Sequence, residues 1–157
     1  DMRHGGCPVL LPASGGRMHP RTPHQKSISL MLAITALLVR DYDEAIAFFT
    51  GALRWVLIED SPREAGKRWV VVGAASGQGG QLLLARAATP DQVARIGDQT
   101  GGRVGWFVYS DRFWNDFDHM RSHGVRFTEE PRHEPYGWVV VFLDLYGNRW
   151  DLLEQPL

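Results

Sequence analysis

Residues 37–60, LLVRDYDEAIAFFTGALRWVLIED, and residues 107–130, FVYSDRFWNDFDHMRSHGVRFTEE, lie 70 positions apart and read as two copies of one pattern. Asp41 falls over Asp111 and Glu59 over Glu129. Further along, Trp69-Val70-Val71-Val72 matches Trp138-Val139-Val140-Val141 with a slip of one residue, and Gln81-Leu82-Leu83-Leu84 matches Asp151-Leu152-Leu153-Glu154 back at 70. The chain is read as a tandem duplication.

Each copy changes periodicity in the same order. An apolar run (Leu32 to Val39; Val104 to Tyr109) ends at an aspartate placed to cap a helix, because its carboxylate accepts from the free N–H groups of a first turn. Tyr42, Ile46, Phe49 and Leu53 then recur at helical spacing, as do Phe113, Phe117 and Met120, giving one apolar stripe each. Three strand-like runs follow in each copy: Trp55–Asp60, Arg68–Gly73 and Gln81–Ala85, then Val125–Glu129, Trp138–Leu143 and Arg149–Leu153. Glycine-rich turns at 76–80 and 146–148 join the last two strands. A short helix from Pro90 to Gln99, capped by Thr89, is expected in the connection. The predicted class is α+β, two βαβββ modules at 31–86 and 103–156, joined by a linker at 87–102.

Composition narrows the function. With 44% apolar and 22% charged residues in 157, the chain suits one compact domain. A net charge of -1 leaves no basic footprint for nucleic acid. Residues 1–30 carry about +3 and the rest about -4, so a basic arm precedes an acidic body. The arm, rich in Gly-Gly and proline, has no apolar periodicity, and Met31 opens a run resembling a natural protein start. His4, Cys7, His19 and His24 in the arm lack the paired-cysteine spacing of structural zinc sites and are read as part of a flexible tail. The run Ile28–Val39 is too short to span a bilayer and reads as a buried strand. A cytoplasmic location and no membrane partner are expected. His119 and His123 sit four apart but lack a third ligand nearby, and are assigned to the surface.

The duplicated order, with LLVRDYDEAIAFF at its start and VFLDLYGNRWDLLE at its end, resembles the vicinal oxygen chelate superfamily, which includes glyoxalases, extradiol dioxygenases and bleomycin resistance proteins. The resemblance covers residues 31–156 and is most specific at Asp144-x-x-Gly147-Asn148-x-x-Asp151-Leu152. It implies two curved mixed sheets around a cleft, and a homodimer. Metal-dependent relatives hold a divalent ion through four strand positions, which fall here on Ile34, Gln81, Val104 and Asp151. Two are aliphatic and offer no lone pair, so neither a metal nor another cofactor is expected.

Strand alternation selects the residues expected in the cleft. If Leu37 and Phe107 face the helices, the cleft takes Ile34, Ala36, Leu38, Gln81 and Leu83 from the first copy. From the second it takes Val104, Trp106, Val108, Arg149, Asp151 and Leu153, with Trp106 as a stacking platform. At its mouth, Glu130, His133, Glu134, Tyr136 and Trp138 form a prolonged turn. The first functional expectation is a metal-independent protein that sequesters a cationic or aromatic small molecule. Two others stand beside it: a lyase, isomerase or dioxygenase-related enzyme using Asp151 or Glu134 as base, and a dimeric interaction module without a ligand.

Overall fold

The computed structural model describes residues 30–156. The arm and its histidines and cysteine lie outside the described residues. From Leu32 onward the chain is one compact unit.

The first copy builds β1 (Ile34–Val39), α1 (Tyr42–Gly51), β2 (Val56–Pro62), β3 (Arg68–Gly73) and β4 (Gln81–Arg86). They form a four-stranded sheet in the order β1-β4-β3-β2, with β1 parallel to β4 and the other pairs antiparallel. Helix α1 starts where the sequence places it, since the Asp41 carboxylate accepts from the N–H groups of Asp43 and Glu44 at 2.9 Å. Tyr42, Ala45 and Phe49 turn inward, while Ile46 and Leu53 are only half-buried. A short helix α2 (Pro90–Ala94) follows, capped by Thr89 as expected but ending well before Gln99.

The second copy builds β5 (Val104–Ser110), α3 (Phe113–Ser122), β6 (Arg126–Phe127), β7 (Arg132–Glu134), β8 (Gly137–Leu143) and β9 (Arg149–Glu154). Its sheet runs β5-β9-β8-β6, with β7 also paired to β8. This copy departs from the expected order in two ways. The strand foreseen over Val125–Glu129 keeps only two ladder residues, and the foreseen turn Glu130–Trp138 is a hairpin contributing β7, with Arg132 opposite Val139 and Glu134 opposite Gly137. Nor does Asp111 cap α3. The Ser110 hydroxyl accepts from the Arg112 N–H at 3.0 Å and donates to Asp116 at 2.6 Å, which ties the end of β5 to the start of α3 but leaves that helix's first turn without a side-chain cap.

Both helices and the inner faces of both sheets share one core. Leu37, Val39, Val70, Val72, Leu82 and Leu84 from the first copy meet Val140, Phe142, Trp150 and Leu152 from the second. Phe49 lies 5.6 Å from the Trp150 ring and from the Trp55 ring, and truncating so enclosed an aromatic costs about 3–5 kcal/mol. Of the two histidines assigned to the surface, His123 is exposed and His119 is half-buried. The His119 Nε2 lies 2.8 Å from the Gly51 carbonyl, tying α3 to the end of α1.

A polar keystone joins the copies. Asp144, 3% exposed, accepts from the N–H groups of Tyr146 and Asn148 through one oxygen and from the Asn148 amide and the Trp150 indole through the other. The turn it shapes carries Tyr146, whose hydroxyl donates to Glu44 at 2.7 Å. Burial, with that bond, pushes the hydroxyl up to about 12. Against the same turn lies the linker. Gly97 has φ +81° and a Cβ there would collide with the Tyr146 carbonyl, so only glycine fits.

Candidate functional site

Sheet faces opposite the helices carry the candidate site. On the first sheet, Ile34 pairs with Gln81 and Ala36 with Leu83, and Leu38 continues the row toward Ala85. All point away from the core-facing Leu37, Val39, Leu82 and Leu84. Val71 and Trp69 extend this face on β3, and a bulge in β2 brings Ile58 over Gly73 beside Gln81. Ile34, Ile58 and Trp69 are 36–45% exposed, leaving an apolar sheet face open.

On the second sheet the alternation breaks at one residue. Val104 pairs with Arg149, but the next pair is Trp106 with Trp150, leaving Gly105 as an extra residue in β5. Everything beyond it is turned over. Trp106 and Val108, expected in the cleft, belong to the core: Trp106 stacks on Trp150 at 4.9 Å. Phe107, expected on the helix side, lies beside Asp151 on the open face and is 60% exposed, with Tyr109 next to Leu153 at 64%. An isolated glycine inside a strand is the signal that marks such a bulge in sequence. The insertion also breaks the uniform 70-residue offset. Leu37 pairs with Leu84 and Val108 with Leu152, which makes Asp151 the counterpart of Leu83 and Arg149 the counterpart of Gln81.

Asp151 is the chemical centre of the second face. It sits between Phe107 on β5 and Val141 on β8, with Arg149 and Leu153 two residues away on its own strand. One of its carboxylate oxygens, Oδ1, is shut from solvent and has no hydrogen-bond partner. Burial pushes the carboxyl above the usual carboxylate range, the Arg132 cation opposes that and Glu129 adds to it. Arg132, on the hairpin strand that sequence reading missed, is gripped by Glu129 and, at 3.0 Å, by Glu134. Glu129 in turn accepts from the Val141 N–H at 3.2 Å. Glu134 is therefore a partner of Arg132.

The other residues foreseen at the mouth scatter. Glu130, His133 and Tyr136 are exposed. Trp138 faces the helix, 4.9 Å from the Trp114 ring, with His133 against its edge at 5.0 Å. Two grooves of about 660 Å³ lie among the described residues; neither is lined by Asp151, although one reaches Phe107 and Tyr109. In a single chain the Asp151 face is an open surface.

A model for the glyoxalase/bleomycin resistance protein/dioxygenase superfamily matches residues 31–152. The chain belongs to this superfamily. An uncharacterised protein of Shewanella frigidimarina (strain NCIMB 400) is 51% identical over 127 residues, covering 78% of this chain and 94% of its own. Among solved structures, UcmS2 superposes with TM-score 0.69 at 24% identity, covering 80% of this chain and 98% of its own. TnmS3, an antibiotic binding protein from Streptomyces sp. CB03234, superposes with TM-score 0.65 at 24% identity, covering 83% and 98%. The superfamily's metal positions do not fit a metal here. Ile34 and Val104 have no donor atom, and Val104 is opposite Arg149 rather than Asp151. Among the described residues no three His, Cys, Asp or Glu side chains gather to hold an ion. No described helix is long and apolar enough to cross a membrane.

Proposed function

We propose that this superfamily member is a metal-independent small-molecule-binding protein, and that a homodimer completes its site. The observation that carries the reading is Asp151 Oδ1, shut from solvent and without a partner, in a half-buried carboxylate set in the second sheet beside the exposed Phe107. A buried acceptor left unpaired is costly, and a ligand donor removes that cost. Phe107 and Tyr109 offer exposed aromatic area beside it, and Val141 and Leu153 an apolar floor. An aromatic ligand with an ammonium or other strong N–H donor matches this set. TnmS3, similar in fold, is an antibiotic binding protein, which supports a sequestering role.

The open faces support the dimer. Each chain exposes an apolar first-sheet face (Ile34, Ile58, Trp69) and an aromatic second-sheet face (Phe107, Tyr109). A two-fold pairing of unlike faces covers all four at once and closes two identical sites around Asp151. Native mass spectrometry of protein purified without chelator tests both parts. A dimer without stoichiometric metal, and saturable binding of a cationic aromatic compound that Asp151→Asn abolishes, is the expected result. A monomer with no saturable binding across a broad antibiotic and aromatic panel refutes it.

The raised Asp151 carboxyl supports a second reading, general acid–base catalysis on a bound carbonyl compound. Solvent-deuterium incorporation into a bound ligand, lost in Asp151→Asn, separates it from sequestration.

A further inference from the structure

The two copies leave their edge strands in different states. Strand β1 is an edge of the first sheet and β5 of the second. On β1 the outward backbone groups are capped by one side chain: the Gln99 carboxamide accepts from the Leu38 N–H at 2.8 Å and donates to the Ala36 carbonyl at 2.8 Å. The Val39 carbonyl accepts from Ala87, and the Ser110 carbonyl from Gln155, which makes Ser110 the counterpart of Val39. The counterparts of Leu38 N–H and Ala36 C=O are then Tyr109 N–H and Phe107 C=O. These point away from β9, and no group among the described residues bonds them. Beside them runs a groove of about 660 Å³ whose walls include Trp55, Trp106, Phe107, Tyr109 and the 74–80 hairpin.

Arg54 stands at the same groove with φ +56°, a left-handed conformation rare outside glycine, and its guanidinium reaches Asn115 and Asp116 at 2.9 and 3.1 Å. The groove is thus braced across the two copies. On the β1 side the linker fills the corresponding space, whereas the β5 side stays open.

We propose that the β5 edge is a second ligand contact, bonded through Tyr109 N–H and Phe107 C=O rather than through Asp151, for an aromatic compound with a primary carboxamide or ring lactam. Such a group presents a carbonyl and an N–H side by side, the arrangement by which Gln99 bonds β1. A residue of an added parallel strand also meets such a pair through its own N–H and C=O, but on β1 it is the Gln99 carboxamide that does so. The attached ring lies against the indole and phenyl walls.

The test is amide NMR on the ¹⁵N-labelled full chain, with benzamide and 2-quinolone as probes for the carboxamide and the lactam. N,N-dimethylbenzamide and quinoline, which lack the N–H, are their controls. The expected result is a saturable shift of the Tyr109 amide by at least one probe, with a dissociation constant of about 1 mM for so small a fragment and about fivefold slower hydrogen exchange. The controls leave Tyr109 unmoved. Asp151→Asn retains the response, so failure of the ligand reading at Asp151 and failure of this one are separable. Absence of a saturable Tyr109 shift, or an equal response to the controls, overturns the proposal. So does a Tyr109 amide already protected without probe and released on dilution, because a second copy then occupies the edge. Gln99→Ala supplies the internal standard: it opens the β1 edge, and Leu38 then answers to the same probes.

Discussion

Replacing Asp151 by Asn is expected to stabilise the free protein while destroying its ligand site. Asp151 Oδ1 is buried and unpaired, and a polar atom in that state costs about 1–3 kcal/mol. The nearby Arg132 cation returns part of it, but the carboxyl is raised on balance, so burial outweighs the attraction. The rest of the side chain retains some solvent contact, which places the net cost at the lower end, about 1 kcal/mol. An amide of the same shape carries no charge to desolvate. For a domain of this size about 1 kcal/mol corresponds to roughly 3 °C in Tm. The sign with pH follows from the raised carboxyl. Its folded pKa lies above the unfolded value of about 3.9, so the penalty is fully present above the folded pKa and fades as pH falls through it. Urea and thermal unfolding of both proteins at pH 7.5 and near pH 4, at one protein concentration, give the comparison. Asp151→Asn more stable at pH 7.5, with the gap closing at acid pH, is the expected outcome. A variant less stable at pH 7.5, or a gap of equal size at both pH values, refutes the reasoning.

Asp144→Ala strips four donors of their acceptor in a buried turn, and a loss of about 3 kcal/mol or more is expected in urea unfolding. Trp106→Ala removes a ring stacked on Trp150 and lowers stability by about 3 kcal/mol, whereas Phe107→Ala leaves stability nearly unchanged and weakens binding of an Asp151-dependent ligand about tenfold. The opposite ranking in calorimetric titrations and melts would restore the alternation that the Gly105 bulge breaks. In Tyr146→Phe the bond to Glu44 is lost, with a cost of about 1 kcal/mol, and the tyrosine absorbance step near pH 12 disappears from a spectrophotometric titration.

Much of the fold was legible because the duplication repeats signals that rarely coincide by chance. The helical stripe at Phe113, Phe117 and Met120 is buried as its spacing implies, and Asp41 caps α1 through its own carboxylate. The alternation that puts Ile34, Ala36 and Leu38 opposite Leu37 and Val39 holds because β1 carries no bulge. Where sequence reading failed, the decisive quantity was a single residue or a distant contact. Gly105 adds one position to β5 and reverses every assignment after it, exchanging Trp106 for Phe107 at the open face. The β7 hairpin resembled a turn because Pro131, Pro135 and Gly137 dominate its composition, and Arg132 came to the Asp151 face with it. The phrase Asp144–Asn148 was recognised by pattern alone. Its work, holding an indole and a turn through one carboxylate, depends on Trp150 packing that no spacing rule reports.

The linker changes what the duplication means for the chain's history. Once Gln99 came to occupy the flank of β1, and Gly97 to lie flush against the Tyr146 carbonyl, the spacer between two equal units became part of the wall of one of them. Neither unit can then be excised intact, since the first would leave its seal behind and the second would carry an unused one. The ancestral symmetry survives in the order of strands and helices, but the molecule has a direction: one flank closed from within, the other left for something from outside.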